Sequence, residues 1–215
     1  MLIGTGRSAD VFALDDEWVL RRYRDGEDAA HEAATMEHLA GHGYPVPRVR
    51  SVSGPELVMR RLTGPSLLDA LLAGTVTPES AATILADLLH RLHTVPSPAP
   101  APLLHLDLHP GNVMLTPEGP FVIDWYTAAA GDPALDWAMS ALILAEVAVT
   151  PVPYADGARA GLATLLSLAD TGGPLPLTKA RERRALDPHL DGAERARLGE
   201  AVALVAALEV SPASG

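Results

Sequence analysis

Near the amino terminus, apolar residues gather in four short runs edged by charged or polar ones: ADVFAL (9–14), EWVLRRY (17–23), RVRSVS (48–53) and ELVMR (56–60). Short runs rich in β-branched and aromatic residues predict strands, and Asp15, Asp16, Ser53, Gly54 and Pro55 supply turns between them. Between the second and third runs, EDAAHEAATMEHLAGHG (27–43) repeats Ala29, Ala33, Met36 and Ala40 at helical spacing and stops at Gly41 or Gly43, which predicts a helix.

Past Leu62 helical spacing dominates. TPESAATILADLLHRLH (77–93) predicts a helix with Thr77 as N-cap and Pro78 at the first helical position; Ile84, Leu85, Leu88, Leu89 and Leu92 form its apolar face. VPSPAPAP (95–102) cannot be helical. NVML (112–115) and FVID (121–124), joined by TPEG, predict a hairpin ending in Asp124. Asp132 and Pro133 open a helix to about Val149, another covers about Asp156 to Ala169, and 191–210 predicts a last helix opened by an Asp191–Glu194 capping pair. SPASG (211–215) is expected to fray. The pattern predicts an α+β chain: a small antiparallel β lobe with one helix over 1–61, and a larger, mainly helical lobe over 62–215.

Composition narrows the chemistry. With 215 residues, 48% hydrophobic and 20% charged, the chain can bury one or two compact cores. It has no cysteine, which excludes disulfides, thiolate metal ligands and a cysteine nucleophile and fits a reducing cytoplasm. MLIGTGRSAD is not a secretory leader, and the longest apolar run, 138–149, is broken by Ser140 and Glu146, so no membrane partner is expected. A net charge of −11 argues against a nucleic-acid partner.

In IGTGRSADVF (3–12), Gly4 and Gly6 let backbone amides approach an anion before Val11 returns the chain to a strand. A plain hairpin turn explains the same residues, and the absence of a following helix excludes a dinucleotide fingerprint or Walker loop. In WVLRRY, Val19 and Arg21 share one face of the strand, so Arg21 turns inward if Val19 does; two solvated arginines are the alternative. Glu32 borders the apolar stripe of its helix, within reach of a cation on the neighbouring sheet.

The most informative stretch is HLDLHPGNVM (105–114). Asp107 lies between Leu106 and Leu108, where a carboxylate needs hydrogen bonds or a cation to stay ionised. Pro110 and Gly111 bend the chain so that Asn112 can face the same pocket, which suits a base beside a metal ligand. Downstream, Asp124 follows three apolar residues and adds a second hard oxygen donor of the kind Mg²⁺ prefers.

HLDLHPGNVM followed by FVIDW resembles the catalytic loop and metal motif of the aminoglycoside phosphotransferases and related small-molecule kinases, which share the two-lobed protein-kinase-like fold. The resemblance implies ATP and Mg²⁺ and a small-molecule hydroxyl acceptor, with Asp107 as catalytic base, Asn112 and Asp124 as metal ligands, and His105 supporting the loop. It also implies that Gly4, Gly6 and Val11 cover the nucleotide and that Arg21, paired with Glu32, grips its phosphates. Met59 and the backbones of Arg60 to Leu62 would receive adenine, and Asp136 in GDPALDWA would brace the loop.

The chain departs from the pattern in three places: Arg21 stands where lysine is usual, Ala9 replaces a third glycine, and Trp125 replaces the aromatic-glycine pair after the metal aspartate. Trp125, Tyr126, Asp132 and Tyr154 are candidates for the acceptor site, although Asp132 would serve equally as a helix cap and the aromatics as core. Two other readings compete: a kinase-like nucleotide binder without catalysis, suggested by Arg21, and a metallohydrolase in which His105, Asp107 and His109 share a metal along a strand, which Pro110 and Gly111 oppose.

Overall fold

The computed structural model describes residues 1–6, 8–188 and 190–210; SPASG lies outside them. The chain divides into two compact units that interleave in sequence: Met1–Pro65 with Val113–Ala128, and Ser66–Asn112 with the residues from Ala129 onward. A single cut after residue 61 therefore does not describe the partition, because the segment from Val113 to Ala128 belongs with the first unit.

The first unit is built on an antiparallel sheet of order β1-β2-β3-β5-β4, from β1 (Leu2–Thr5), β2 (Ala9–Ala13), β3 (Trp18–Tyr23), β4 (Val49–Ser53) and β5 (Glu56–Arg60). The face predicted to be shared by Val19 and Arg21 is found in β3, where Val19, Arg21 and Tyr23 are buried and Arg22 is exposed. Helix α1 (Ala30–Gly41) buries Glu32, Ala33, Thr35, Met36 and Leu39. Ala40, expected in that stripe, is exposed: the step of three from Met36 reaches Leu39 first, and the larger side chain takes the core. The remaining piece is a hairpin of β7 (Val113–Thr116) and β8 (Gly119–Val122). Its second strand stops at Val122, so Asp124 lies beyond the strand rather than at its end.

Gly64 joins this hairpin to the sheet segment. It holds φ +139, and a Cβ there would stand 1.8 Å from the Leu115 carbonyl oxygen. Only glycine permits that approach, and it lets the Leu115 amide donate to the Pro65 carbonyl at 2.9 Å.

The second unit is mainly helical. Thr77 caps α3 (Pro78–Thr94) by accepting from the Ser80 amide, and Asp132 caps α4 (Pro133–Ala148) by accepting from the Ala134 amide. Helix α4 is apolar around its circumference and buried from Ala134 to Ala145, packed by α3, α5 (Ala155–Leu168), α6 (Leu177–Ala185) and α7 (Gly192–Val210). The Asp191–Glu194 pair does open α7, each backbone amide donating to the other's carboxylate at 2.8 and 2.7 Å. Two further helices have no counterpart in the hydrophobic pattern: α2 (Leu67–Leu72), opened by a Ser66–Asp69 capping box, and α6. Two short strands, β6 (Leu103–Leu104) and β9 (Ala129–Ala130), pair with one another, and a single 3₁₀ turn spans Pro110–Asn112. Among the described residues no helix is long and apolar enough to cross a membrane.

Candidate active site

In the first unit, strand register places several candidates on one face of the sheet. Val11 pairs with Gly4 on one side and Arg21 on the other, and Arg21 pairs in turn with Leu57. Cross-strand partners project the same way, so Gly4, Val11 and Arg21 form a row, and Met59, opposite Val19, belongs to the same face. At the tip of the β1–β2 hairpin, the Gly6 amide donates to the Ala9 carbonyl at 2.9 Å.

Arg21 is 6% exposed and meets two carboxylates: Nη2 lies 2.5 Å from Asp124 Oδ1, and Nη1 lies 3.3 Å from Glu32 Oε1. Glu32, 2% exposed, also accepts from the Tyr23 hydroxyl at 2.5 Å and the Trp125 backbone amide at 3.0 Å. Burial alone would lower the Arg21 pKa, but Asp124 and Glu32 outweigh it and hold the guanidinium above its usual range. One guanidinium serves two carboxylates, which leaves surplus negative charge in a low dielectric. Burial pushes the Glu32 carboxyl up, against the pull of Arg21 and with a further push from Asp124. Burial, then Glu32, likewise raises the Tyr23 phenol. Arg21 Nε has no hydrogen-bond partner, so a buried donor still lacks an acceptor. Asp124 holds φ +66, a left-handed conformation that Asp tolerates better than most residues.

The hinge segment is partly committed. The Arg60 and Arg61 amides donate to the Arg48 and Glu17 carbonyls at 2.9 and 2.7 Å, so neither is left for adenine, and Leu62 lies past the strand end. The Arg60 side chain pairs with Glu118.

In the second unit, a turn held from beneath presents Asp107. The Asp136 carboxylate, fully buried at the start of α4, accepts from the backbone amides of His105 at 2.9 Å and Leu106 at 2.6 Å and lies 3.0 Å from His93 Nε2. Those bonds hold Leu106 at φ +67 between buried His105 and the outward-turned Asp107. The Asp107 amide donates to His105 Nδ1 at 3.2 Å. The 3₁₀ turn then returns Asn112, whose Nδ2 lies 2.9 Å from the Asp107 carbonyl and 3.3 Å from its Oδ2. The next neighbour is one that no motif or apolar stripe announces: Arg184 of α6 places Nη1 3.9 Å from Asp107 Oδ1.

The acceptor candidates separate. Trp125 is fully buried, edge-on to Tyr44 with Nε1 donating to the Val122 carbonyl at 3.1 Å, so it is core of the first unit and offers an acceptor no surface. Asp132 spends Oδ1 on capping α4. Tyr126 is 40% exposed and its hydroxyl donates to Glu27, the bond that first of all pushes its phenol up to about 12. Tyr154, beside the start of α5, is also exposed.

The proposed metal ligands fit a hard cation by donor chemistry. Asn112 turns its nitrogen toward Asp107, leaving its oxygen as a donor, while the Asp124 side chain is one-third exposed and belongs to a cluster with surplus negative charge. Among the described residues no three His, Asp or Glu gather as metal ligands. His109 Nδ1 accepts from the Gly111 amide at 3.0 Å, and the 105–109 run is no strand, so the three-ligand metal arrangement of a metallohydrolase is not built.

A family model described as the phosphotransferase enzyme family matches residues 1–105 and 98–175. No curated protein matches the chain. Among solved structures, a thermostable mutant of aminoglycoside phosphotransferase APH(4)-Ia, in ternary complex with AMP-PNP and hygromycin B, aligns with TM-score 0.66 at 16% identity, covering 100% of this chain and 94% of that one. A putative aminoglycoside phosphotransferase from Ralstonia eutropha aligns with TM-score 0.61 at 15% identity, covering 94% and 92%. A choline/ethanolamine kinase family protein from Mesorhizobium loti aligns with TM-score 0.50 at 17% identity, covering 98% and 92%. The common fold is the protein-kinase-like α+β fold.

Proposed function

Because the chain belongs to the phosphotransferase enzyme family, we propose that it transfers the γ-phosphoryl group of ATP to a hydroxyl of a small molecule, with Asp107 as the base. The observation that carries this reading is the Asp107 turn, whose backbone is fixed by buried Asp136 and whose carboxylate is met by Asn112. A general base must be held in place before it can act, and that turn fixes the backbone that carries it. The nucleotide complex of a structural neighbour supports ATP as the donor.

In this reading residues 1–61, joined by Asp124, hold the nucleotide, and 62–215 present the acceptor. Gly4, Gly6 and Val11 cover the phosphates, and the partnerless Nε–H of Arg21 gains an oxygen acceptor. Glu32 keeps the guanidinium in place. Leu62 supplies the remaining hinge amide, beside the apolar face that includes Met59. Mg²⁺, held by Asn112 and Asp124, would neutralise charge on the phosphates when bound. Asp107 orients the acceptor hydroxyl and takes its proton, while His105 and Asp136 keep the turn from shifting. Catalysis of this kind is chiefly positioning and charge stabilisation.

Tyr126 and Tyr154 are the candidates that this reading assigns to the acceptor, because their side chains stay exposed. The test is a panel of amino alcohols, sugars and aminoglycosides assayed for ATP-dependent phosphorylation, beside an Asp107→Asn control. Phosphorylation that the control abolishes is expected. A folded protein that binds ATP and phosphorylates no member would instead favour the non-catalytic binder.

A further inference from the structure

We propose that Arg184, on α6, is a positioning residue that fixes the direction of the Asp107 carboxylate; this rests on Asp107 being the base. The bonds around the Asp107 turn fix its backbone, yet the terminal torsion of an aspartate is broad and two-fold. Backbone support therefore does not choose where the two oxygens point. The structure gives each oxygen its own neighbour: Oδ2 lies 3.3 Å from Asn112 Nδ2 and 3.8 Å from His109 Nε2, while Oδ1 lies 3.9 Å from Arg184 Nη1. At 3.9 Å the arginine acts as a fixed charge rather than a hydrogen-bond donor.

A fixed charge needs a fixed guanidinium, and Arg184 is held on three sides. It is 8% exposed; Nε and Nη2 take the two oxygens of Glu146 at 2.9 and 3.3 Å, and Nη1 takes Asp187 Oδ2 at 2.8 Å. The Glu146 pair alone would neutralise a buried guanidinium. The additional hold by Asp187, just past the end of α6, fixes Nη1, the nitrogen that lies 3.9 Å from Asp107 Oδ1. Arginine's planar fork can meet one carboxylate with two nitrogens and still present the third, which lysine cannot do.

The experiment measures steady-state turnover of Mg·ATP by the full chain, with the acceptor returned by the panel, or water where none is returned. Arg184→Gln is expected to lower kcat by about ten- to a hundredfold and leave the KM for ATP unchanged, with partial recovery in Arg184→Lys. On the Asp107→Asn background, Arg184→Gln is expected to cause no further loss, because its effect passes through the missing carboxylate. Losses that multiply in that double variant, or a folded Arg184→Gln with wild-type kcat, overturn the inference. Since Arg184→Gln strands Glu146, the paired variant Arg184→Gln with Glu146→Gln, checked by thermal melting, removes both ends of the buried pair. The same loss of kcat in this variant supports the role, and wild-type kcat defeats it. Full activity in Asp107→Asn alone would defeat the base assignment, whereas an inactive Asp107→Asn beside fully active Arg184 variants would defeat only the present inference.

Discussion

The two units solve the problem of placing a carboxylate differently. In the first, Asp124 and Glu32 both lie against Arg21, the closer contact at 2.5 Å, and a tyrosine hydroxyl and a backbone amide complete the set. In the second, Asp107 is 29% exposed, and the side-chain groups that face its oxygens stand 3.3 to 3.9 Å away. The first cluster is a charge framework buried at Arg21 and Glu32, whose cost of burial is offset in part by their pairing. The second holds its backbone by hydrogen bonds and leaves its carboxylate reachable, with neighbours at longer range. A framework suits residues that must keep a highly charged ligand in one place, and an open carboxylate suits a group that must receive a proton.

The largest break in that contrast is expected at the open carboxylate. Asp107→Asn keeps shape and removes basicity, so kcat is expected to fall by roughly 10²- to 10⁴-fold with little change in melting temperature. Glu32→Ala should reverse the pattern: it leaves the buried Tyr23 hydroxyl and Trp125 amide without their acceptor and is expected to cost about 3 kcal/mol of stability by urea unfolding. Asp136→Ala leaves the His105 and Leu106 amides without their acceptor and is expected to cost about 2 kcal/mol, with a loss of kcat as the turn relaxes.

The smallest effect compares two phenols, each donating to a carboxylate: Tyr23 inside the buried cluster and Tyr126 at its exposed margin. Tyr126, pushed up to about 12, contributes stability in full below the unfolded value of about 10 and loses it as pH rises through 12. Alkaline spectrophotometric titration should show that late phenolate, and Tyr126→Phe should remove it. Ionisation of Tyr23 before Tyr126 would show that burial and Glu32 do not hold the Tyr23 phenol up.

Much of the framework is legible in the sequence because periodicity reports burial. Val19 and Arg21 share a strand face by parity, and Glu32 meets Arg21 because it precedes Met36 by one helical turn. The Asp107 turn is legible from Pro110 and Gly111. Arg184 is not: α6 buries only Ala180 and Arg184, so a segment crowded with lysine and arginine gives no apolar stripe to count. Trp125 illustrates a different limit, since an aromatic beside a candidate metal ligand reads equally as wall or as core, and contact with Tyr44 decides for core. The left-handed backbone of Asp124 also leaves no trace in a residue that merely follows a strand.

The interleaving of the two units sets an order of synthesis. Arg21 and Asp124 are separated by 103 residues, and Glu32 waits 93 residues for the Trp125 amide. At 5–20 residues per second, a ribosome releases Glu32 roughly 5 to 19 seconds before its last partner. During that interval Arg21 and Glu32 have one another but lack the Asp124 carboxylate and the Trp125 amide. The unit that begins first is finished only after the Ser66–Asn112 part of the second has emerged, and a fragment ending at residue 61 would lack those two late partners permanently.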